Sequence, residues 1–234
     1  MKYYLGSYYL YKIEPADFGT IKGSKIFTCS SCINKSYLDS WSISWSEDGK
    51  NISDIIRKEF KLSEELINKI HKWTDNKLEQ NKIGWINNFY DLNTVLDYKK
   101  SFFKEEKELQ ILSINFPETE KNQALNILSP TNKKFGEIGI YQNLKKEIKE
   151  NTKEEQLGFD LIGIEPSGDF HSFHCHDLKD ELISEFGIKI NNNGLIQENK
   201  NWKEIVNYMN HDDNGFEPVP WFFVKINQVQ TAST

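Results

Sequence analysis

The chain has 234 residues, of which 38% are hydrophobic and 13% aromatic, and its formal net charge is −6. This composition can bury a sizeable core, so we expect a folded globular protein. The negative charge would repel a phosphate backbone, which argues against nucleic acid as a partner. No stretch approaches the roughly eighteen consecutive apolar residues of a membrane span, so no membrane association is expected.

Cysteine usage and the N-terminus indicate the compartment. An odd count of three cysteines in a chain of this length does not suggest a disulfide scaffold, so reduced thiols are expected. Residues 1–15 lack the apolar core and the small-residue cleavage site of a signal peptide. The sequence therefore predicts a cytoplasmic protein.

The first hundred residues predict strands followed by helices. Segments 2–14 and 25–46 are rich in aromatic and β-branched residues with turn residues between them, which is typical of strands. Helical spacing starts at Ser53, and a second helix is predicted from Ser63, whose hydroxyl can cap the free amides. A further helix is predicted over 91–107.

The middle of the chain predicts one buried strand and two helices. The strand covers 109–116 and is closed by Pro117. Residues 118–156 predict helix, loop and helix. The charged segment 144–155 is expected to be a linker or an exposed helix.

The C-terminal part predicts a hairpin, two helices and a last strand. Strands over 159–165 and 170–175 flank a Pro-Ser-Gly-Asp turn. Asp177 can cap a helix that Gly187 ends. The remaining elements are a helix over 202–209 and a strand over 219–229. Because Pro218 and Pro220 cannot donate to a ladder, that strand is expected at an edge or with a late start.

Helices and strands occur in separate runs along this chain. This arrangement is typical of the α+β class, with a mainly antiparallel sheet and helices packed on one side. We expect a single domain over residues 1–234, which the charged segment could divide into parts 1–140 and 157–229.

Three of the five histidines and one of the three cysteines lie between Phe170 and Asp177. On a strand, His174 and His176 would share a face and could bind one metal ion. A Cys29-x-x-Cys32 loop could complete a Cys₂His₂ zinc site, with zinc as the one cofactor considered. The alternative is that the cysteines are ordinary small residues and that backbone or carboxylate groups satisfy the histidines. Both interpretations stay open.

A hydrolase is a further alternative. In the cluster His171–His176, His174 or His171 would act as base, with Cys175 or Ser172 as nucleophile and Asp169 or Asp177 orienting the base. The chain has no G-x-S-x-G elbow, no phosphate-binding glycine loop and no H-E-x-x-H motif. We therefore assign no catalytic residue and favour a protein that is not an enzyme.

An acidic loop covers residues 210–217. Its spacing does not follow the calcium-binding pattern, so a plain turn or part of an acidic contact surface is the better interpretation. The acidic residues expected to contact a protein partner are Asp169, Asp177, Asp212, Asp213 and Glu217.

The stretch from Gly158 to Ile226 carries a resemblance to a known family. It reads GFDLIGIEPSGDFHSFHCHDLKDELISEFGIKINNNGLI, then WKEIVNYMN and GFEPVPWFFVKI. It resembles a group of small uncharacterised bacterial proteins that are similar to the immunity proteins of secreted polymorphic toxins. The resemblance implies a cytoplasmic, non-enzymatic protein that binds and neutralises a cognate toxin made by the same cell or a neighbour. It implies no residue roles, because the recognition surfaces of such proteins vary.

Overall fold

The structure is a computed structural model that describes residues 1–12, 15–18, 21–25, 27–28, 30, 58, 61–84, 88–131, 139–151, 153–166, 168–176, 179–197, 201–211 and 217–230. Its strands are β1 (Tyr3–Lys12), β2 (Pro15–Phe18), β3 (Ile21–Lys25), β4 (Leu109–Pro117), β5 (Glu155–Ile164), β6 (Phe170–Ser172) and β7 (Trp221–Gln228). Five of them form an antiparallel sheet in the order β1-β4-β7-β5-β6, and β2 pairs with β3. The expected α+β class is confirmed.

Six α-helices surround this sheet in the described ranges. They are α1 (Glu64–Glu79), α2 (Leu92–Phe102), α3 (Glu118–Ile127), α4 (Gly139–Lys145), α5 (Lys179–Phe186) and α6 (Trp202–Met209). The predicted cap at Ser63 is confirmed, since its hydroxyl accepts a hydrogen bond of 3.2 Å from the amide of Leu66. The strand predicted over 25–46 beyond residue 30, and the helix predicted from Ser53, lie outside the described residues apart from Lys58.

Helices cover both faces of the sheet, where helices on one side were expected. On one face Leu112 and Ile114 of β4 pack in a cluster with residues of α3 and α4. On the other face Leu109 and Ile111 pack with residues of α1 and α2, and β5 and β7 pack with α5 and α6. Successive residues of a strand point to opposite faces, and both faces of this sheet carry apolar side chains. Each face is therefore buried by its own helices.

Strand β7 lies in the middle of the sheet, between β4 and β5. The predicted edge position is therefore wrong, and the predicted late start is confirmed. Pro220 has no amide hydrogen, and the ladder begins one residue later, where Trp221 lies opposite Gly163. The carbonyl of Pro220 still accepts a hydrogen bond of 3.1 Å from Ile164.

Residues 146–151 and 153–154, which we call the strap, are neither a helix nor a free linker. The carbonyl of Ile148 accepts a hydrogen bond of 2.8 Å from Leu5, and the amide of Glu150 donates one of 3.1 Å to Tyr3, both at the outer edge of β1. The strap then passes over β4 and β7 to enter β5. The helix ends before it because Glu147 takes a left-handed φ of 53°.

Candidate functional site

The expected hairpin is confirmed, but its second strand is short. Ser172 lies opposite Ile162, and the strand ends there. Residues Phe173–His176 form a 3₁₀ turn, in which the amide of Ser172 donates to Sγ of Cys175 at 3.2 Å. Such local side-chain bonds compete with the ladder. The strand alternation that was expected to place His174 and His176 on one face therefore does not apply.

Asp160 of β5 is the centre of a buried polar cluster beside this turn. Its side chain is 0% exposed and accepts hydrogen bonds from Ser172 Oγ at 2.8 Å and from Thr28 Oγ1 at 2.9 Å. Burial raises the pKa of Asp160 to about 7, although the two hydroxyl donors act in the opposite direction. The cluster therefore contains a carboxyl group that can change its charge near neutral pH.

The fold brings Ser30, which stands between Cys29 and Cys32 in the sequence, to the histidine turn. Oγ of Ser30 lies 2.8 Å from Sγ of Cys175, and the amide of Ser30 donates to Thr28 Oγ1 at 3.2 Å. Cys29 and Cys32, the predicted thiolate ligands, lie outside the described residues. Of the segment Cys29-x-x-Cys32, the structure therefore describes only Ser30, which contacts Cys175.

The described histidines have internal partners. His174 is 1% exposed, and its Nε2 donates to the carbonyl of Gly194 at 2.5 Å. Nε2 of His171 lies 2.9 Å from a carboxylate oxygen of Glu165. The side chain of His176 lies outside the described part. Within that part, no group of three or more His, Cys, Asp or Glu could bind a metal ion. The zinc site of Cys29, Cys32, His174 and His176 stays a prediction.

Carboxylates gather at one end of the sheet. Glu165 and Asp169 flank the hairpin turn, and the amide of Glu165 donates to the carbonyl of Asp169 at 2.9 Å. Glu217 precedes β7 at the same end, because Gly163 lies opposite Trp221. All three acidic residues are partly exposed. The other predicted contact residues, Asp177, Asp212 and Asp213, lie outside the described residues.

A second polar cluster, which the sequence reasoning missed, lies beneath the strap. Lys225 Nζ binds Glu150 Oε1 at 2.5 Å, and Asn227 Nδ2 donates to the same oxygen at 2.6 Å. Ser113 Oγ donates to Glu154 Oε2 at 2.6 Å. Burial raises the pKa of Glu154, and the charge of Glu150 adds to the effect. The feature of the sequence that could have indicated this cluster is the alternation of polar and apolar residues in β4 and β7. Such alternation is ordinarily typical of a strand with one solvent-exposed face.

The two clusters lie on opposite faces of the sheet, since Asp160 pairs with Val224 and the next residue, Lys225, pairs with Phe159.

No family model, curated protein or solved structure matches this chain. No helix in the described ranges has the length and apolar character that crossing a membrane requires. The hydrogen bonds described above attach distant segments to the sheet, and Glu165, Asp169 and Glu217 are partly exposed at one end of it.

Proposed function

We propose that the protein is a non-enzymatic binding protein of immunity type, which neutralises a basic toxin domain by direct contact. The proposal depends on the convergence of Glu165, Asp169 and Glu217 at one end of the sheet. The net charge of −6 acts in the same direction. Complementary potentials accelerate encounter with a basic partner and disfavour partners of like charge.

The hairpin turn at this end supports the proposal, because hydrogen bonds hold its backbone in place. The amide of Gly168 donates to the carbonyl of Glu165 at 2.9 Å, and the side-chain amide of Asn88 donates to the carbonyl of Gly168 at 3.1 Å. A surface that is already ordered loses little conformational entropy on binding. The acidic end would therefore meet its partner in a preformed shape.

The test is to mix the protein with the toxin domain encoded by the adjacent gene and to measure association rates at low and high salt. The double variant Asp169→Asn, Glu217→Gln is expected to lower the association rate about tenfold at low salt. The double variant Asp75→Asn, Glu79→Gln makes the same charge change on α1 and is expected to have a small effect. Absence of a complex together with no protection of toxin-treated cells would refute the proposal.

The contact between Ser30 and Cys175 favours a second candidate, a structural zinc site. Ser30 stands between Cys29 and Cys32 in the sequence, and its contact with Cys175 is the observation that supports this candidate. Of the predicted ligands, His174 would have to release the carbonyl of Gly194 to bind through Nε2. The thiolate of Cys175 is the alternative fourth ligand.

Metal analysis of untagged protein tests this candidate. We expect about one zinc ion per chain, with the metal content lost in Cys32→Ser and retained in His211→Asn, which changes a histidine outside the turn. A zinc content near zero in the unmodified protein would exclude the site. It would leave the binding proposal unaffected, since that proposal depends on other residues.

A further inference from the structure

A cavity of about 500 Å³ lies at the outer edge of β1. Its walls come from β1, from the residues around 80–82 and 90–92, and from α4 and the start of the strap. This volume is within the range of about 300 to 1,000 Å³ in which proteins bind small organic molecules. The function proposed above does not use this cavity.

The cavity is preformed because its walls are hydrogen-bonded to each other. The side-chain amide of Asn143 donates to the carbonyls of Gly6 and Tyr90, each at 2.8 Å. Backbone bonds of 2.7 and 2.8 Å join Tyr8 to Phe89 on one side. The ring of Tyr90 packs directly on Gly139, where a Cβ would come within 2.1 Å of two ring carbons. A ligand would therefore enter a space whose shape is already set.

The charges that line the cavity leave one cation in excess. Lys82 binds Asp91 at 3.2 Å, and Asp91 also accepts hydrogen bonds from the amide and the hydroxyl of Thr94, so this pair is neutral overall. Lys146 is exposed at the mouth and makes no ion pair within the part of the chain that the structure describes. A ligand with a single negative charge would balance this site.

The neutral groups of the lining favour a ligand with several hydroxyl groups. The side-chain amides of Gln80, Asn81 and Gln142 line the cavity and can both donate and accept hydrogen bonds. Ile148 lines the same cavity with 38% of its surface exposed, so an apolar contact is offered beside the polar ones. Sugars combine hydroxyl groups with an apolar C–H face, which matches both kinds of contact.

We propose that this cavity binds a sugar acid, with the carboxylate at Lys146, the hydroxyls at the side-chain amides and the C–H face at Ile148. A single carboxylate matches the single excess lysine, whereas a phosphate would bring close to two negative charges. The ligand is defined by this chemistry: one carboxylate on a ring with several hydroxyls.

Ligand-observed NMR with the full chain tests the proposal, with D-glucuronate, D-glucose and D-glucose 6-phosphate as probes. We expect glucuronate to bind with a Kd on the order of 1 mM and glucose to bind at least about fivefold more weakly. Failure of glucuronate to bind, or tighter binding of glucose 6-phosphate than of glucuronate, would overturn the assignment.

Three variants separate the contributions of charge and hydroxyl binding. Lys146→Met is expected to reduce glucuronate affinity to that of glucose, and Gln142→Leu to weaken both sugars. Lys145→Met is the matched control, because Lys145 does not line the cavity and its Nζ lies 5.8 Å from the centroid of the Tyr141 ring. Equal losses in Lys145→Met and Lys146→Met would show a nonspecific charge effect and contradict the proposal.

Discussion

The carboxylate of Asp160 accepts a hydrogen bond of 2.9 Å from the hydroxyl of Thr28, a residue 132 positions earlier in the chain. Both of its hydroxyl donors, Thr28 and Ser172, are neutral and buried. Ionising a fully buried carboxyl group beside neutral partners costs free energy, because water is replaced by only a few dipoles. The attachment of the segment around Thr28 is therefore linked to the protonation of one side chain.

Asp160→Asn should change the pH dependence of stability. The pKa of Asp160 rises from its ordinary value of 3.8 to about 7 on folding, so the folded state retains a proton that the unfolded state releases. Stability from this group is fully present below about pH 4, falls as the pH rises and is lost above about pH 7. The free energy of unfolding of the Asn variant, taken relative to that of the unmodified protein, should rise by roughly 2 to 4 kcal/mol between pH 4 and pH 8.

Urea denaturation at several pH values measures this gain. Asp75→Asn removes an exposed carboxylate of α1 and serves as the control, for which a small change is expected. A constant difference in free energy of unfolding between Asp160→Asn and the unmodified protein across this pH range would contradict the assignment of a raised pKa.

Ser30 and Cys175 should be energetically coupled. Their side chains meet at 2.8 Å across the fold, and neither variant Ser30→Ala nor Cys175→Ala adds bulk. A double-mutant cycle is expected to give a coupling free energy of about 0.5 to 1 kcal/mol, the range of a neutral hydrogen bond. Additive losses in the two single variants would show that the contact does not contribute to stability.

Lys225→Met should strongly destabilise the protein. It leaves the carboxylate of Glu150, whose side chain is 18% exposed, without its cation, and the expected loss is roughly 3 kcal/mol. Adding Glu150→Gln should recover part of this loss, since the uncompensated charge is removed. Lys69→Met breaks the exposed pair with Glu65 on α1 and is expected to have little effect. Equal denaturation midpoints for the two lysine variants would contradict the burial of the strap pair.

Two glycines should respond to alanine for different reasons. At Gly139 a Cβ would come within 2.1 Å of the Tyr90 ring, so Gly139→Ala is expected to cost about 2 to 3 kcal/mol through overpacking. At Gly187 nothing lies within 4 Å, but φ is +59°, so Gly187→Ala should cost only about 1 kcal/mol. Tyr90→Leu removes the ring that the new Cβ would meet. The stability lost through Gly139→Ala should therefore be smaller in a Tyr90→Leu background, whereas the stability lost through Gly187→Ala should be unchanged. A similar loss with and without Tyr90→Leu would contradict the clash.

The parts of the fold that could be predicted from sequence depend on local signals. The cap at Ser63, the helix over 202–209 and the end of the helix before Gly187 are each specified within one or two helical turns. The hairpin could be predicted from its turn residues. Its second strand could not be delimited, because the bond between Ser172 and Cys175 forms only once the turn has its shape.

The strap shows why the buried polar contacts between distant residues could not be predicted from the sequence. Its charged residues are typical of a solvated segment, and nothing local indicates that Glu150 and Glu154 are partly buried. Their partners Lys225 and Ser113 lie 75 and 41 positions away in the chain. The same limit applies to Ser30 and Cys175, whose proximity requires the complete sheet.

By itself, the sequence determined the secondary structure of most described segments, the α+β class and the acidic balance of the chain, because these depend on residue type and on neighbours within a few positions. Only the tertiary structure decided which polar groups are buried together: Asp160 with Thr28, Glu150 with Lys225, and Asn143 with the carbonyls of Gly6 and Tyr90. The burial of a polar group depends on which distant strands pair and on which segments pack over them. Sequence patterns within a few residues do not specify those pairings.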